Sequence, residues 1–231
     1  MEIIPVIDIM QRKAVHAKRG LRELYRPLHT PLCPDGEPVT LATGFLSLYG
    51  FRTIYIADLD ALMGKGSNFR VIQDLIAHFP TVEFWIDRGL SDSQFQDTGG
   101  RPWMGVLGSE SLSESGLARL DWRSGRMILS LDFAHAALVG PKLLLENELF
   151  WPQRVIIMNL SGVGSNEGPD WECCEYFRAL WPHRQLFAAG GLRGERDLRR
   201  LASLGFIGAL CATALHNGAL GRGSIARMMS Q

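Results

Sequence analysis

Eight short apolar runs are spaced along the chain, and each is followed by a polar or glycine-rich turn. They are Ile3–Ile7, Thr53–Ala57, Val82–Ile86, Met104–Leu107, Met127–Leu131, Val155–Met158, Leu186–Ala189 and Ile207–Cys211. The runs are continuous rather than alternating, the pattern of parallel strands buried on both faces. Between them lie stretches with apolar residues at helical spacing, such as Phe69–His78 and Glu195–Leu204. Strand–helix alternation predicts a parallel sheet. Eight such units favour closure into one α/β barrel, (β/α)8, with residues 1–231 forming a single domain. The segment from His16 to Pro38 breaks the rhythm, being rich in charge, proline and glycine. It predicts a long first loop at the end of the barrel where catalysis takes place, either a mobile lid or an ordered surface insertion.

A faint repeat runs through the pattern. IIPVID at Ile3–Asp8 resembles MILSLD at Met127–Asp132. Asp87-Arg88-Gly89-Leu90 after the third run corresponds to Gly190-Gly191-Leu192 after the seventh, and Gly108-Ser109 to Ala212-Thr213. The offset is about half the chain, as expected of a doubled half-barrel.

Composition narrows the functional classes. Apolar residues make up 46% of the chain, enough for a sizeable core, and the formal net charge is zero. Partners such as nucleic acid or an anionic membrane surface usually demand a basic excess, so neither is expected. No apolar run approaches the roughly 20 residues of a membrane span. The opening MEIIPVIDIM reads as a core strand rather than a signal peptide, so a cytoplasmic protein is expected. The four cysteines (Cys33, Cys173, Cys174, Cys211) form no CxxC pair and no zinc spacing, and are expected as reduced thiols.

In a barrel of this kind the residues directly after each strand surround the active site. Four of the first five strands end in an aspartate: Asp8, Asp58, Asp87 and Asp132. Asp8 and Asp132 follow the first and fifth strands, on opposite sides of the mouth, where two carboxylates can divide acid and base roles if burial tunes them. Gly190-Gly191 lets the backbone approach an anion, and Gly108-Ser109 offers the same on the opposite side. Ser109, Ser111 and Thr213 add hydroxyl donors. The stretch Ser161-Gly162-Val163-Gly164-Ser165-Asn166 reads as a loop able to fold over a substrate. His16 is a further candidate contact; it and His135 are, as lone histidines, more often structural. A cluster of Asp58, Asp60 and Asp87 is the one carboxylate set suited to a divalent cation, a minor alternative.

Together these residues resemble the histidine-biosynthesis isomerase and cyclase, the HisA/HisF family of TIM barrels. The matching stretches are IIPVID, YIADLDA at Tyr55–Ala61, LGS at Leu107–Ser109, SLD at Ser130–Asp132 and GGL at Gly190–Leu192. The resemblance covers essentially the whole chain. It implies Asp8 and Asp132 as general base and acid of an Amadori-type aldose–ketose rearrangement, two phosphate sites, a small phosphorylated metabolite as ligand, and no metal or redox cofactor. By position it assigns substrate or phosphate contacts to Gly89, Gly108, Ser109, Ser161, Gly164, Ser165, Gly190, Gly191, Ala212 and Thr213, with Asp58, Asp87, Arg88 and His16 as further candidates. The sequence departs from the family after the third strand, where Asp87-Arg88-Gly89 stands for a glycine run. It departs again after the sixth strand, at Met158-Asn159 and Gly162–Ser165, and after the eighth, at Ala212-Thr213. His16 stands where the family often has an arginine. The loop Gly20–Pro38 and YIADLDA resemble a divergent HisA/HisF-related group of methanogens and methylotrophs. That resemblance implies a substrate in tetrahydromethanopterin- or methanofuran-linked one-carbon metabolism. The competing expectation is a non-catalytic barrel that binds a phosphorylated ligand, or one that acts only with a protein partner.

Overall fold

A computed structural model of the chain describes residues 1–89, 103–120, 122 and 125–230. In chain order its strands are β1 (Glu2–Met10), β2 (Lys13–His16), β3 (Arg26–Pro27), β4 (Thr53–Asp58), β5 (Glu83–Asp87), β6 (Trp103–Gly108), β7 (Met127–Ala134), β8 (Ala137–Leu138), β9 (Arg154–Asn159), β10 (Gln185–Ala189) and β11 (Gly208–Cys211). Eight of them, β1, β4, β5, β6, β7, β9, β10 and β11, pair in parallel in that order, and β11 returns to β1 through Glu2↔Gly208 to Pro5↔Cys211. The sheet is a closed (β/α)8 TIM barrel. All eight apolar runs are barrel strands. Val82 and Ile207 fall just before their strands, and Ile207 is exposed.

Closure accounts for the continuous apolar runs. One face of each strand packs inside the barrel, where Ile4, Tyr55, Trp85, Met104, Val106, Ile128, Ile156, Phe187 and Leu210 form one cluster. The other face packs against helices, for example Ile54, Ile86, Leu129 and Val155 with Phe45, Leu75, Phe177 and Leu198. Each fully buried large side chain contributes roughly 1.5–3 kcal/mol over leaving it in water. The helix Phe69–His78 buries Ile72 and Leu75, and Glu195–Ser203 buries Leu198 and Leu201, the apolar stripes that their sequences display.

The two halves repeat in structure. β1 turns back into β2 through Gln11 and Arg12, and β7 turns back into β8 through His135 and Ala136. All four turn residues have positive φ (51° and 66°, 50° and 62°), as two-residue hairpin turns of this handedness require. Asp58 ends β4 and accepts a hydrogen bond from the Ala61 N–H, three residues on; Asn159 ends β9 and accepts one from the Gly162 N–H, also three residues on. Leu90 of the third-strand correspondence lies outside the described residues.

The long first loop packs onto the barrel and lines its mouth. β2 and β3 extend the β1 hairpin, Leu28 N–H donates to the Ala14 carbonyl at 2.9 Å, and Tyr25, Leu28 and Cys33 are buried. All four cysteines are free thiols, with Cys211 in the core and Cys174 on the buried face of the helix Trp171–Leu180. Among the described residues no helix is long and apolar enough to cross a membrane.

Candidate active site

A cavity of about 220 Å³ opens at the C-terminal ends of the barrel strands. Its floor and walls are largely apolar (Val6, Ala57, Leu59, Met158, Ala189, Leu210), and the carboxyls of Asp8, Asp87 and Asp132 face it. The strand pleat brings them there. Inward positions alternate along β1 as Ile4, Val6 and Asp8, along β5 as Trp85 and Asp87, and along β7 as Ile128, Ser130 and Asp132.

Burial raises all three carboxyls. Asp8 is pushed up to about 7, chiefly by desolvation, with the Arg22 guanidinium pulling down and Asp87 pushing up. Asp87 is also raised to about 7 by burial, against a hydrogen bond from the Gly89 N–H and one of 3.1 Å from the Tyr55 hydroxyl. Asp132 reaches about 8 through burial, opposed by a 2.6 Å hydrogen bond from Ser130 Oγ and reinforced by the charge of Asp87. Asp8 and Asp132 therefore both hold protons at pH values where free carboxylates have lost them. Two carboxyls tuned in this way can divide acid and base roles.

Asp132 is held rigidly. Its Oδ1 accepts from Ser130, its Oδ2 accepts from the Glu110 N–H at 3.2 Å, and its own N–H donates to Ser109 Oγ at 2.9 Å. The Ser109 hydroxyl in turn donates to the Val139 carbonyl at 2.7 Å. Ser109 is thus a buried brace behind Asp132 and does not line the cavity; neither does Gly108.

Gly164, Gly190, Gly191, Ala212 and Thr213 do line it. The paired glycines are dictated by packing: at φ 92° and 80°, a Cβ would lie 2.1 Å from the Asn159 carbonyl oxygen at Gly190 and 2.2 Å from the Gly168 carbonyl oxygen at Gly191. The other candidates are placed elsewhere. Asp58 is fully buried and binds Asn68 through its N–H and Nδ2, at 2.9 and 2.7 Å. Arg88 stacks on the Phe69 ring at 4.5 Å and reaches Ser67 Oγ. Gly89 donates its N–H to Asp87. Ser161 Oγ accepts from the His135 N–H, and Ser165 Oγ donates to the Gly162 carbonyl. His16 is exposed and lines a small neighbouring crevice that it shares with Asp8, Thr213 and His216. Asp60 joins Asp58 on Asn68, whereas Asp87 faces the barrel interior, so the three do not converge on a cation. Among the described residues no other His, Cys, Asp and Glu group has metal-holding geometry.

Four polar lining residues escaped the sequence reading: Arg22, Tyr25, Tyr55 and Glu110. Arg22 and Tyr25 come from the inserted loop, and Arg22 pairs with Glu110 at 2.5 Å across the mouth. The loop after β9 closes the side of the cavity with Val163, Gly164 and Asn166. It is tied to the inserted loop by Arg19, whose N–H donates to the Val163 carbonyl at 2.7 Å and whose guanidinium meets Glu167 at 2.6 Å. Only Tyr55 carried a sequence signal, as the inward position two residues before Ala57 in YIADLDA.

Residues 2–98 and 146–221 match the model of the family described as histidine biosynthesis protein. The chain is 30% identical to an uncharacterized protein of Methanocaldococcus jannaschii over 95% of both chains. It is 29% identical to an imidazole carboxamide isomerase of Myxococcus xanthus, over 78% of this chain and 81% of that one. An isomerase of the same name in Thermococcus kodakarensis is 27% identical over 94% and 93%. The name of both isomerases specifies a substrate with two phosphoribosyl groups. With three quarters of its length matched by the family model, a closed barrel and near full-length relatives, this chain belongs to the histidine biosynthesis protein family, that of HisA and HisF.

Proposed function

We propose that the protein is an aminosugar-phosphate isomerase of the HisA type, with Asp132 as general acid and Asp8 as general base. The observation that carries this reading is the pairing of two carboxyls on opposite strands, half-buried Asp8 and buried Asp132, raised to about 7 and about 8, across one cavity. The isomerase names of its relatives point the same way. Asp132 donates its proton to the ring oxygen of the aminoaldose. The C1–O bond breaks as the nitrogen lone pair forms the C1=N bond. Asp8 then takes the C2 proton, and the electron pair moves to give the enolamine. Loss of the C2 hydroxyl proton and protonation at C1 complete the ketose, so the composition is unchanged. Phosphate is held on the side of Gly190, Gly191, Ala212 and Thr213. The compact cavity and its acidic lining favour a substrate outside histidine biosynthesis, and the resemblance to the methanogen and methylotroph group directs the search to tetrahydromethanopterin- and methanofuran-linked one-carbon metabolism.

The test is incubation in D₂O with phosphorylated aminoaldoses, including the substrate of the related isomerases, followed by NMR. An isomerase of this type yields a ketose carrying deuterium at C1, and Asp8→Asn or Asp132→Asn abolishes it without abolishing binding. Ligand binding with no isotope uptake by the wild-type chain favours a non-catalytic or partner-dependent barrel instead.

A further inference from the structure

Among the described residues the mouth of the barrel is chemically one-sided, although the halves that build it correspond. Trp85 and Phe187 are each the third residue of their strands, β5 and β10, and their rings meet edge to face inside the barrel with centroids 4.9 Å apart. Two residues further along, at the mouth, the corresponding positions are Asp87 and Ala189, and both line the cavity. Beyond Ala189 the wall continues as Gly190 and Gly191, backbone without side chains, beside Ala212 and the hydroxyl of Thr213.

Among the described residues, carboxyl groups occupy the Asp87 side. Asp87 is 6% exposed, and its carboxyl accepts a hydrogen bond from the Tyr55 hydroxyl. The space above Gly108 is taken by carboxylate oxygens: a Cβ there would lie 2.9 Å from Asp132 Oδ2 and 3.4 Å from Asp87 Oδ2. The nearby Ser109 hydroxyl is spent on the Val139 carbonyl and the Asp132 N–H. Among the described lining residues Arg22 is the one cation, and it is already paired with Glu110. A phosphate brought to this side meets like charge and acceptors, whereas a hydroxyl or amine meets a fixed hydrogen-bond acceptor.

We infer that Asp87 is a specificity-determining residue: it restricts the site to substrates with a single phosphate, carried on the Ala189–Gly191 side, and receives a hydroxyl or amine at the other end. This rests on the reading of the cavity as a sugar-phosphate site, and it excludes the two-phosphate class that the relatives' name specifies.

The test is calorimetric binding at pH 8 of ribose 5-phosphate, with one phosphate, and ribulose 1,5-bisphosphate, with two. The wild-type protein binds the monophosphate at least about tenfold more tightly, and Asp87→Gly, which removes both charge and bulk, erases that preference. Asp87→Asn keeps the bulk, removes the charge and gives an intermediate ratio; it also guards against a glycine variant that does not fold. Equal wild-type binding of the two ligands overturns the inference. So does an unchanged ratio in both variants, or binding of neither ligand. The isomerase reading stands or falls on deuterium uptake, a separate measurement, so a barrel that binds the monophosphate without turning it over leaves this inference intact.

Discussion

The carboxyls of Asp87 and Asp132 lean over the same glycine: both have an oxygen within 3.4 Å of where a Cβ of Gly108 would stand. The adjacency explains part of the electrostatics. The charge of Asp87 helps raise Asp132, the group that in the proposed reaction must keep its proton at neutral pH to act as an acid. Gly108 is therefore required by the neighbouring carboxyls rather than by its own backbone.

Gly108→Ala should disable the site more than the fold. The added methyl pushes against Asp132 Oδ2 at 2.9 Å, and the carboxyl must leave its hydrogen bonds to Ser130 and the Glu110 N–H. The expected result is a loss in kcat of about 10²-fold or more, the scale of a misplaced acid, with a modest fall in Tm. Wild-type kcat in a variant with a shifted Tm would overturn this account.

The rate should follow a narrow bell in pH. Activity rises as Asp8 ionises near its value of about 7 and falls as Asp132 loses its proton near about 8. Asp8→Asn and Asp132→Asn should each lower kcat by about 10²–10⁴-fold while leaving the circular dichroism spectrum unchanged. A profile flat between pH 5 and pH 10, on scales where ordinary aspartates titrate at about 4, would dissociate both groups from the chemistry.

Arg22→Ala should move the acid limb of that bell to higher pH. The Arg22 guanidinium pulls the Asp8 carboxyl down; without it, burial acts unopposed and Asp8 holds its proton longer. The variant also leaves Glu110 unpaired beside Asp87 and Asp132, whose carboxyls its charge pushes up. Carbon-13 NMR titration of labelled aspartate side chains reads these shifts without any substrate, and an unmoved Asp8 titration would contradict the prediction.

Stability should decline from mildly acid to alkaline pH through these same groups. Asp8, Asp87 and Asp132 have folded-state values raised above 3.8, so between that value and about 7 to 8 the folded chain holds protons that the unfolded chain has released. Their neutral forms suit the buried site; the stability this gives is complete below 3.8 and is lost as pH rises through 7 and 8. Urea denaturation at pH 5.5 and 9 should show the wild type weaker at the higher pH, and Asp87→Asn should lessen the difference by about 1 kcal/mol or more. An identical pH slope in wild type and variant would show that burial of Asp87 carries no such cost.

Much of the barrel was legible in the sequence because a parallel strand covered on both faces must be apolar throughout. Eight such runs with helices between them leave few arrangements other than closure. Asp8 and Asp132 were legible for the related reason that a polar residue ending a buried run sits at the mouth. The sequence could not separate Asp58 from Asp87, since each ends its strand. The difference is parity: Asp87 follows the inward Trp85 by two residues and faces the cavity, whereas Asp58 follows the inward Ala57 by one and turns out to hold Asn68. Strand pleat and barrel register settle that, and both are fixed by pairing between chain segments far apart.

Sequence order alone thus determined the barrel, its mouth and the facing pair of aspartates, through local hydrophobic pattern. Tertiary structure decided which polar groups meet there. Arg22 and Tyr25 arrive from the inserted loop, and Glu110 from beyond β6; none shares a local signal with Asp8, yet all line one cavity. Tertiary structure also decided that Ser109 is a brace and Asp87 a wall, because what a hydroxyl or carboxyl does depends on the partners packed against it.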